Sequence, residues 1–324
     1  MNTFTFSGKI VSMGSINMDL VMEVDHLPSP GETIKSEGYA MYPGGKGGNQ
    51  AATAAQLNAE VHFFGRLGDD YFSAELIRSL SQKGVDVSSI IKTTQGIAGL
   101  AMIRVDRNGQ NSISFTPGAN YLLSPDDMLI GEHLFHSGGI LLLSMEIPLE
   151  TVYTAIRLAK RKNMFVILDP APAPQTLIPN DIPSQVDIVK PNESEASILT
   201  QVPVKNIEDA HLAGTKLVKM GFRCPILTLG ENGFIFPLGE RWYHIEPHPV
   251  NTIDSTAAGD IFLGALAACL SKGYSFEDSI QFSKIAAALS TTKKGAQSSI
   301  PEILEINKEL ANAKNFKLIP IERK

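Results

Sequence analysis

The residue types best suited to chemistry stand together near the C-terminal end of the chain, in residues 251–262. Asp260 lies in the first turn of a predicted Ala- and Leu-rich helix, directly after the small residues Ala257, Ala258 and Gly259. Small residues let a ligand approach the backbone amides, and the positive end of the helix dipole favours an anion there. A carboxylate beside such an anion hole suits phosphoryl transfer to a hydroxyl, because the base takes the proton while the amides hold the transferred charge. Taken alone, the segment favours a simpler interpretation, a helix-capping acid with close-packed alanines.

A glycine-rich run, residues 43–51, leads into a second predicted helix over residues 49–57. The run matches neither the Walker A loop nor the GxGxxG dinucleotide pattern. Such a run is unfavourable for folding unless the backbone must come close to something, and Asn49 both donates and accepts hydrogen bonds, as sugar hydroxyls require. After the first predicted strand, Asn17 and Asp19 point to the same side of an extended backbone. They could hold two neighbouring hydroxyls, although an ordinary polar turn has the same pattern.

The frame that must position these segments is predicted by alternating apolar runs and helical patterns. Short, continuously apolar runs are typical of strands buried on both faces of a parallel sheet. The predicted strands are residues 10–13, 61–65, 140–143, 165–168, 186–189 and 225–229. The predicted helices include residues 70–83, 149–159, 193–199 and 207–220. This order predicts an α/β fold whose mainly parallel sheet is covered by helices on both faces.

Two segments, residues 15–43 and 97–117, carry strand patterns without helices between them, and residues 106–109 are typical of a hairpin turn. We interpret them as a small β-sheet that projects as a lid from a single domain of residues 1–314. Residues 315–324 are expected to be a solvated tail. A small sheet with one covered face is marginally stable alone, so its apolar side is expected to pair with a second copy in a homodimer.

The composition excludes several classes of protein. The 324-residue chain has a net charge of −6, without the basic excess of a nucleic-acid binder, although helix N-termini can still hold phosphate. Cys224 and Cys269 lie far apart, which gives no disulfide framework or zinc signature and suits a reducing compartment. The N-terminus lacks the pattern of a signal peptide, and the apolar runs are too short to cross a bilayer. We therefore expect a cytoplasmic protein that binds neither nucleic acid nor membrane.

Several motifs in the same order resemble the ribokinase-like (PfkB) family of carbohydrate kinases, from Gly14 to about Pro301. They are GGKGGNQA (44–51), DPAPA (169–173), PNESE (191–195), TLGENG (228–233), DSTAAGD (254–260) and KGAQSS (294–299). The resemblance implies a three-layer sandwich with a mainly parallel central sheet and a small β-sheet lid. It also implies ATP-dependent phosphorylation of a sugar, with the 5-hydroxyl of D-ribose as the expected acceptor, and a dimer formed through the lid.

The resemblance assigns roles to residues at matching positions. The catalytic base is Asp260, with the anion hole at Ala257, Ala258 and Gly259. Sugar-binding positions are Asn17, Asp19, Gly44, Gly45, Lys46, Asn49, Glu146 and Asp260. ATP-binding positions are Asn192, Thr228, Gly230, Glu231, Gly233, Gly259 and Lys284. Glu195 matches the acid that organises Mg²⁺ through water. A monovalent cation, usually K⁺, is expected at Asp254, Thr256, Ser290, Lys293, Gly295 and Ser299.

Three positions depart from the family pattern. Gly48 stands where the family usually has alanine, and Ala98 stands where many members have a hydroxyl residue. Lys284 places a positive charge near the expected adenine. Alternatives within the fold are kinases of deoxyribose, fructose, a sugar acid or a nucleoside. A non-catalytic sugar sensor is a different class, but it would be signalled by loss of Asp260 or Gly259, and both are present. A dehydrogenase is disfavoured, since the Rossmann fingerprint is missing.

Overall fold

A computed structural model describes Phe6 and residues 8–36, 38–312 and 317–321. The strands are, in chain order, β1 (Lys9–Met13), β2 (Asn17–Glu23), β3 (Tyr39–Gly44), β4 (Glu60–Phe64), β5 (Arg66–Leu67), β6 (Ile91–Lys92), β7 (Gly99–Val105), β8 (Asn111–Thr116), β9 (Ile140–Ser144), β10 (Phe165–Asp169), β11 (Ile188–Val189), β12 (Cys224–Pro225), β13 (Leu227–Thr228), β14 (Phe234–Leu238), β15 (Arg241–Ile245) and β16 (Ile319–Pro320). The helices are α1 (Lys46–Gln56), α2 (Tyr71–Gln82), α3 (Asp127–Gly131), α4 (Leu149–Arg161), α5 (Glu193–Thr200), α6 (Ile207–Met220), α7 (Ala258–Ser271), α8 (Phe276–Ser290) and α9 (Ile303–Asn312). Among the described residues, none of these helices is long and apolar enough to cross a bilayer.

The central sheet has six strands in the order β12-β11-β10-β9-β1-β4, and every neighbouring pair is parallel. Side chains alternate between two apolar clusters: Ile10 belongs to one cluster and the adjacent Val11 to the other. The first cluster includes residues of α1, α7 and α8, and the second includes residues of α4 and α6. Helices therefore cover both faces, and the predicted three-layer α/β fold is confirmed. The carboxyl ends of all six strands meet at one edge, where open α/β sheets bind ligands.

A small four-stranded sheet, in the order β3-β2-β7-β8, is formed by the two segments predicted to lack helices. β2 and β7 are parallel, whereas β3 and β8 pair antiparallel with them. The predicted hairpin turn joins β7 to β8: the Asp106 carboxylate accepts hydrogen bonds from the backbone N–H groups of Asn108 and Gln110, each at 2.8 Å. Gly109 in this turn has φ of 77°, which favours glycine. We refer to this four-stranded sheet as the small sheet.

One prediction about the C-terminal half is wrong. The single strand predicted over residues 225–229 is divided: β12 ends the central sheet, and β13 belongs to a separate antiparallel sheet, β13-β14-β15-β16. The chain changes partners within this segment, since Ile226 N donates to Val189 O while Leu227 and Thr228 pair with β14. Part of the predicted solvated tail forms a strand: β16 pairs with β15, while Ile319 and Pro320 stay exposed. Residues 315, 316 and 322–324 of that tail lie outside the described residues.

The helix predicted over residues 49–57 begins earlier, at Lys46, so that Gly47 and Gly48 belong to its first turn. The reason is a close backbone contact: a Cβ atom on Gly47 would lie 2.7 Å from the Cα atom of Gly14, in the turn between β1 and β2. Gly45, directly before the helix, has φ of 83°. The glycine run therefore lets the start of α1 pack directly on the end of β1.

Candidate active site

Asp260 lies in the first turn of α7, the 14-residue helix that starts at Ala258, and only 5% of its surface is exposed. Ala257 caps this helix with φ of 59°, a left-handed conformation that is unusual for alanine. The backbone therefore turns sharply into α7, with Ala258 and Gly259 in the first turn together with Asp260. The first amides of a helix have no partner within the helix, so this end can hold an anion, although Ala258 N here donates a long hydrogen bond to Ser255 O at 3.3 Å.

Two amide side chains of α1 fix the Asp260 carboxylate. Asn49 Nδ2 donates to Oδ2 at 3.0 Å, and Gln50 Nε2 donates to Oδ1 at 3.2 Å. The helices α1 and α7 can approach this closely because a Cβ atom on Gly264 would lie 2.7 Å from Gln50 O. Each carboxylate oxygen keeps a further lone pair, so Asp260 can still accept a hydrogen bond from a substrate hydroxyl.

Buried carboxylates surround Lys46. Attraction by Asp260, the largest cause, together with Asp169, Glu146 and Glu195, raises the pKa of Lys46 despite its burial. Burial raises the pKa of Asp169 to about 6, although Lys190 and Lys46 oppose the shift. Lys46 therefore stays charged and partly balances the carboxylates of this cleft.

The sugar-side residues predicted from the sequence meet at the carboxyl ends of β1 and β9. Burial is the main cause that raises the pKa of Asp19, to about 7, and repulsion from Glu146 and Asp260 adds to it. Burial also raises the pKa of Glu146, which accepts a hydrogen bond from the Ser15 hydroxyl. The Ser15 oxygen accepts one from Lys46 N at 3.0 Å, so the glycine run and the strand ends form one network.

Gly44 is required by its contact with Asp19, since a Cβ atom on Gly44 would lie 2.9 Å from Asp19 Cγ. Gly45 is required by the backbone, since its Cβ atom would lie 2.7 Å from Asn17 N. Both glycines thus pack on β2, which carries the predicted sugar-binding side chains of Asn17 and Asp19.

Asn17 is held by Asn120, a residue that the sequence analysis missed. Asn120 Nδ2 donates to Asn17 Oδ1 at 2.8 Å and to Ile16 O at 3.2 Å, and Asn120 Oδ1 accepts from Ile16 N at 3.0 Å. This bond occupies one lone pair of Asn17 Oδ1, so the amide nitrogen, with its two N–H donors, is the main group that Asn17 offers to a ligand. Asn17 therefore offers donors, whereas Asp19 offers acceptors.

Of the residues predicted to bind ATP, Asn192 caps α5: Glu195 N donates to Asn192 Oδ1 at 2.8 Å, and Asn192 N donates to Glu195 Oε2 at 2.9 Å. Asn192 lies beside Thr228, with which it forms a parallel bridge. Gly230, with φ of 52°, begins a 3₁₀ turn that carries the exposed Glu231, and Gly233, with φ of 78°, directly follows the turn. Lys284 lies on α8, where burial lowers its pKa and Glu246 opposes the shift.

The predicted monovalent-cation residues lie on two adjacent loops that Asp254 joins. Asp254 Oδ1 accepts from Thr256 N at 2.9 Å, and Oδ2 accepts from Gly295 N at 2.8 Å. The hydroxyls of Ser290 and Ser299 donate to carbonyls of their own segments, Ala287 O and Ala296 O. The ammonium of Lys293 instead pairs with Glu305 at 2.9 Å, so its side chain is engaged elsewhere.

The structure explains one of the departures from the family pattern, the glycine at position 48. A methyl group at Gly48 would make ordinary van der Waals contacts, at 3.4 Å from Gln297 Nε2 and 3.5 Å from Ile16 Cγ1, so glycine and alanine both fit. The side chain of Ala98 is buried directly before Gly99, and its N–H donates to Asp70 at 3.3 Å. Since this bond uses the backbone N–H, it does not explain why alanine stands here in place of a hydroxyl residue.

The sequence analysis assigned no role to three further polar residues: Gln50, Asp169 and Lys190. Gln50 Nε2 bridges two carboxylates, since it also donates to Asp169 Oδ2 at 3.0 Å. Asp169 ends β10 and Lys190 directly follows β11. Asp169 and Lys190 could have been identified from the sequence, because both lie at the carboxyl ends of predicted buried strands.

Comparison with known proteins gives a family. The profile described as "pfkB family carbohydrate kinase" matches residues 7–303. The chain belongs to the PfkB family of carbohydrate kinases. The predicted α/β fold and the predicted class of enzyme, an ATP-dependent carbohydrate kinase, are therefore confirmed.

Relatives cover almost the whole chain. A ribokinase of Staphylococcus aureus (strain COL) is 34% identical over 303 residues, which cover 93% of this chain and 99% of the relative. A ribokinase of Haemophilus influenzae is 38% identical over 289 residues, covering 89% and 94%. A deoxyribokinase of Salmonella typhi is 35% identical over 302 residues, covering 93% and 98%.

Solved structures with the same fold include two ribokinases. The ribokinase of Thermotoga maritima has a TM-score of 0.85 and 37% identity, covering 94% of this chain and 99% of that one. The Arabidopsis thaliana ribokinase complexed with ribose and ATP has a TM-score of 0.84 and 33% identity, covering 93% and 98%.

Proposed function

We propose that the protein transfers the γ-phosphoryl group of ATP to the 5-hydroxyl of D-ribose and releases ribose 5-phosphate and ADP. Asp260 accepts the proton of the hydroxyl as its oxygen forms the new bond to phosphorus. The bond between the γ-phosphorus and the β–γ bridging oxygen breaks, and the electron pair leaves with ADP. The amides of Ala257, Ala258 and Gly259 hold the charge on the transferred group.

The observation that carries this proposal is the buried Asp260 carboxylate at the N-terminus of α7, held by Asn49 and Gln50. A base must have a fixed orientation towards its proton, and these two hydrogen bonds supply it. An acid that only capped the helix would need neither of these side chains from α1. The relatives named ribokinases, and the ribokinase structure that contains ribose and ATP, support ribose and ATP as the substrates.

For the sugar, we propose that Asn17 and Asp19 hold neighbouring hydroxyls, with Asn49, Lys46 and Glu146 completing the site. Asn17 donates and Asp19 accepts, so the pair can satisfy both the oxygen and the proton of hydroxyl groups. Gly44 and Gly45 let the glycine run pack directly against Asp19 and the backbone of Asn17, which holds this side of the proposed sugar site in place. For the nucleotide, we propose the residues around the Asn192–Thr228 bridge, including Gly230, Glu231, Gly233 and Lys284.

Magnesium is proposed to bind through the ATP phosphates and water. Among the described residues, no cluster of three or more His, Cys, Asp or Glu side chains could hold a metal ion by itself, which fits such an ion. Glu195 lies near Lys46 and Asp169, and only its Oε2 atom is engaged by the helix cap. Glu195 Oε1 is thus suited to orient a metal-bound water, and the ion would neutralise phosphate charge.

Potassium is proposed to bind between residues 252–256 and 290–299. Backbone hydrogen bonds from Ile253 N and Asp254 N to Thr291 O, at 2.7 and 3.1 Å, already join these segments. Oxygen atoms of Asp254, Thr256, Ser290, Gly295 and Ser299 are hard ligands suited to such a cation, with Lys293 contributing only its backbone carbonyl. The cation would order the loop that carries the anion hole.

A homodimer through the small sheet is also proposed. The sheet face that carries Asp19 also carries Val21, Ile103, Ile113 and Phe115, as the strand register shows. Ile113 and Phe115 are 55% and 43% exposed, which leaves apolar area for a second copy. In this arrangement the small sheet acts as a lid on the single domain of residues 1–314. The free, buried thiols of Cys224 and Cys269 support a reducing, cytoplasmic location.

The function is tested by incubating the protein with Mg²⁺, K⁺ and ATP and a panel of D-ribose, 2-deoxy-D-ribose, fructose and adenosine. We expect ADP release with D-ribose and a product identified by phosphorus NMR as ribose 5-phosphate. Phosphorylation of another member of the panel but not of ribose would contradict the proposed substrate while leaving the kinase class intact.

The second candidate substrate is 2-deoxy-D-ribose, because the Salmonella typhi deoxyribokinase is nearly as similar as the ribokinases. Deoxyribose lacks one of the neighbouring hydroxyls that Asn17 and Asp19 are proposed to hold. Buried polar groups left without a partner strongly disfavour the poorer substrate. We therefore expect kcat/KM to be higher for ribose, and a ratio in favour of deoxyribose would make the second candidate correct.

A further inference from the structure

Lys190 is a buried cation at the edge of the sheet that carries the site. It directly follows β11, and only 5% of its surface is exposed. A Cβ atom on Gly259 would lie 2.8 Å from Lys190 Nζ and 3.9 Å from Cε. The ammonium group therefore lies at the first turn of α7, where the anion hole is proposed.

Lys190 has no carboxylate in contact among the residues that the structure describes, since none lies within 4.0 Å of its Nζ atom. Asp169 attracts it only at longer range. The fold does form contacting lysine–aspartate pairs elsewhere, because Lys160 binds the buried Asp187 directly. Burying a charge without a contacting partner is costly, so Lys190 is suited to a mobile anionic ligand.

The carboxylate and amide side chains linked to Asp260 also include buried oxygen atoms that no donor satisfies. Asp169 Oδ1, Gln50 Oε1 and Asn49 Oδ1 are buried without a hydrogen-bond partner in the structure. A cleft with an unpaired ammonium, a helix N-terminus and unsatisfied oxygens is polar and anion-selective at the Lys190 end. Phosphate oxygens can accept hydrogen bonds from the ammonium and the helix amides, and water bound to the phosphate can donate to the unsatisfied oxygens.

We propose that Lys190 binds the terminal phosphate of ATP, from the side of β11, and stabilises its charge during transfer. The inference rests on the proposed function, because the anion must be a nucleotide phosphate placed at Gly259. A lysine acts there as a point charge that complements the directional amides of α7. Negative charge is spread over the oxygens of the transferring group in the transition state, so a fixed cation beside it accelerates the reaction.

The test compares Lys190→Met, which keeps the length of the side chain and removes its charge, with Lys160→Met as a matched control outside the site. Calorimetry measures binding of AMPPNP, which has three phosphates, of AMP, which has one, and of D-ribose. We expect Lys190→Met to weaken AMPPNP binding about tenfold to a hundredfold, as loss of a charged hydrogen bond implies. Binding of AMP and ribose should stay within about twofold, and Lys160→Met should bind all three like the wild type.

A purely structural role, in which Lys190 only balances Asp169, makes a different prediction. Removing both charges in Lys190→Met/Asp169→Asn would then restore AMPPNP affinity, whereas our proposal predicts that it stays weak. If Lys190→Met does not fold, the affinities for AMPPNP and AMP are compared in this charge-balanced double variant instead. AMPPNP affinity within about twofold of wild type, in either variant, overturns the proposal.

The two levels of inference fail separately. Ribose phosphorylation by the wild type is measured first and tests the proposed function alone. If the wild type phosphorylates ribose while Lys190→Met keeps its AMPPNP affinity, only the role of Lys190 is wrong. If AMPPNP binding depends on Lys190 while ribose is not phosphorylated, the substrate proposal is wrong and the phosphate site stands.

Discussion

The pH dependence of sugar use offers a test of the sugar side of the site. The pKa of Asp19 is raised to about 7, chiefly by burial and further by repulsion from Glu146 and Asp260. The ionised carboxylate is purely an acceptor and can hold sugar hydroxyls with both oxygens, whereas protonation turns one oxygen into a donor and removes the negative charge. The fraction ionised rises from about 10% at pH 6 to about 90% at pH 8, as a group with this pKa requires. We expect kcat/KM for ribose, at saturating ATP, to rise about ninefold over this range.

The sign follows from the direction of the shift. A raised carboxyl pKa means that protonation persists to higher pH, so activity is lost as the pH falls through 7 and not as it rises. Asp19→Asn removes the titrating group and its charge-assisted hydrogen bonds. This variant should lose about tenfold to a hundredfold in kcat/KM for ribose, and the rise centred near pH 7 should disappear.

Two results would refute this reasoning. The first is a wild-type profile that is flat between pH 6 and 8, which would mean that Asp19 does not titrate there or does not bind the sugar. The second is an Asp19→Asn profile with the same midpoint as the wild type, which would assign the titration to another group. Buffers of constant ionic strength are needed, because screening changes the repulsion between the carboxylates.

Three further predictions concern the surroundings of the site. Asn120→Asp can no longer donate a hydrogen bond to Asn17, so KM for ribose should rise about tenfold, with kcat and KM for ATP almost unchanged. Equal rises in KM for ribose and for ATP would instead point to general unfolding. The wild type should phosphorylate ribose faster with K⁺ than without it in sodium-free Tris buffer. Asp254→Asn should lose this activation, since an asparagine cannot accept hydrogen bonds with both side-chain atoms. A wild-type rate that does not depend on K⁺ would contradict the cation site. Ile113→Glu should convert a dimer into monomers in sedimentation at micromolar concentration, whereas Ser112→Glu on the opposite face should not; a monomeric wild type would remove the dimer.

Helices and strands with complete local signals were predictable from the sequence. The helix predicted over residues 207–220 has the bounds of α6, because Asn206 caps its start and Gly221, with φ of 114°, ends it. The central strand predicted over residues 140–143 falls within β9, since a continuous apolar run must be buried on both faces. Local signals were weaker for β14, where Pro237 interrupts the apolar run.

Contacts between distant segments were less predictable. The motifs placed Asn49 and Asp260 at helix starts, but only the packing of α1 on α7 brings Asn49 to the Asp260 carboxylate. Asn120 lies in a 3₁₀ turn with no local pattern, and its role depends on its hydrogen bonds to residues 16 and 17. Lys190 likewise gains its place only because β11 ends opposite the first turn of α7.

Asp260→Asn tests the central claim most directly. Asparagine has nearly the same shape, so the fold should persist with at most a modest loss of thermal stability. As a base it is ineffective, so kcat for ribose phosphorylation should fall by about 10²–10⁴-fold while ATP still binds at the backbone amides. Steady-state kinetics, nucleotide calorimetry and a thermal melt on this variant separate the possibilities. A kcat within about threefold of wild type would contradict the assignment of Asp260 as the base, and the proposed mechanism with it.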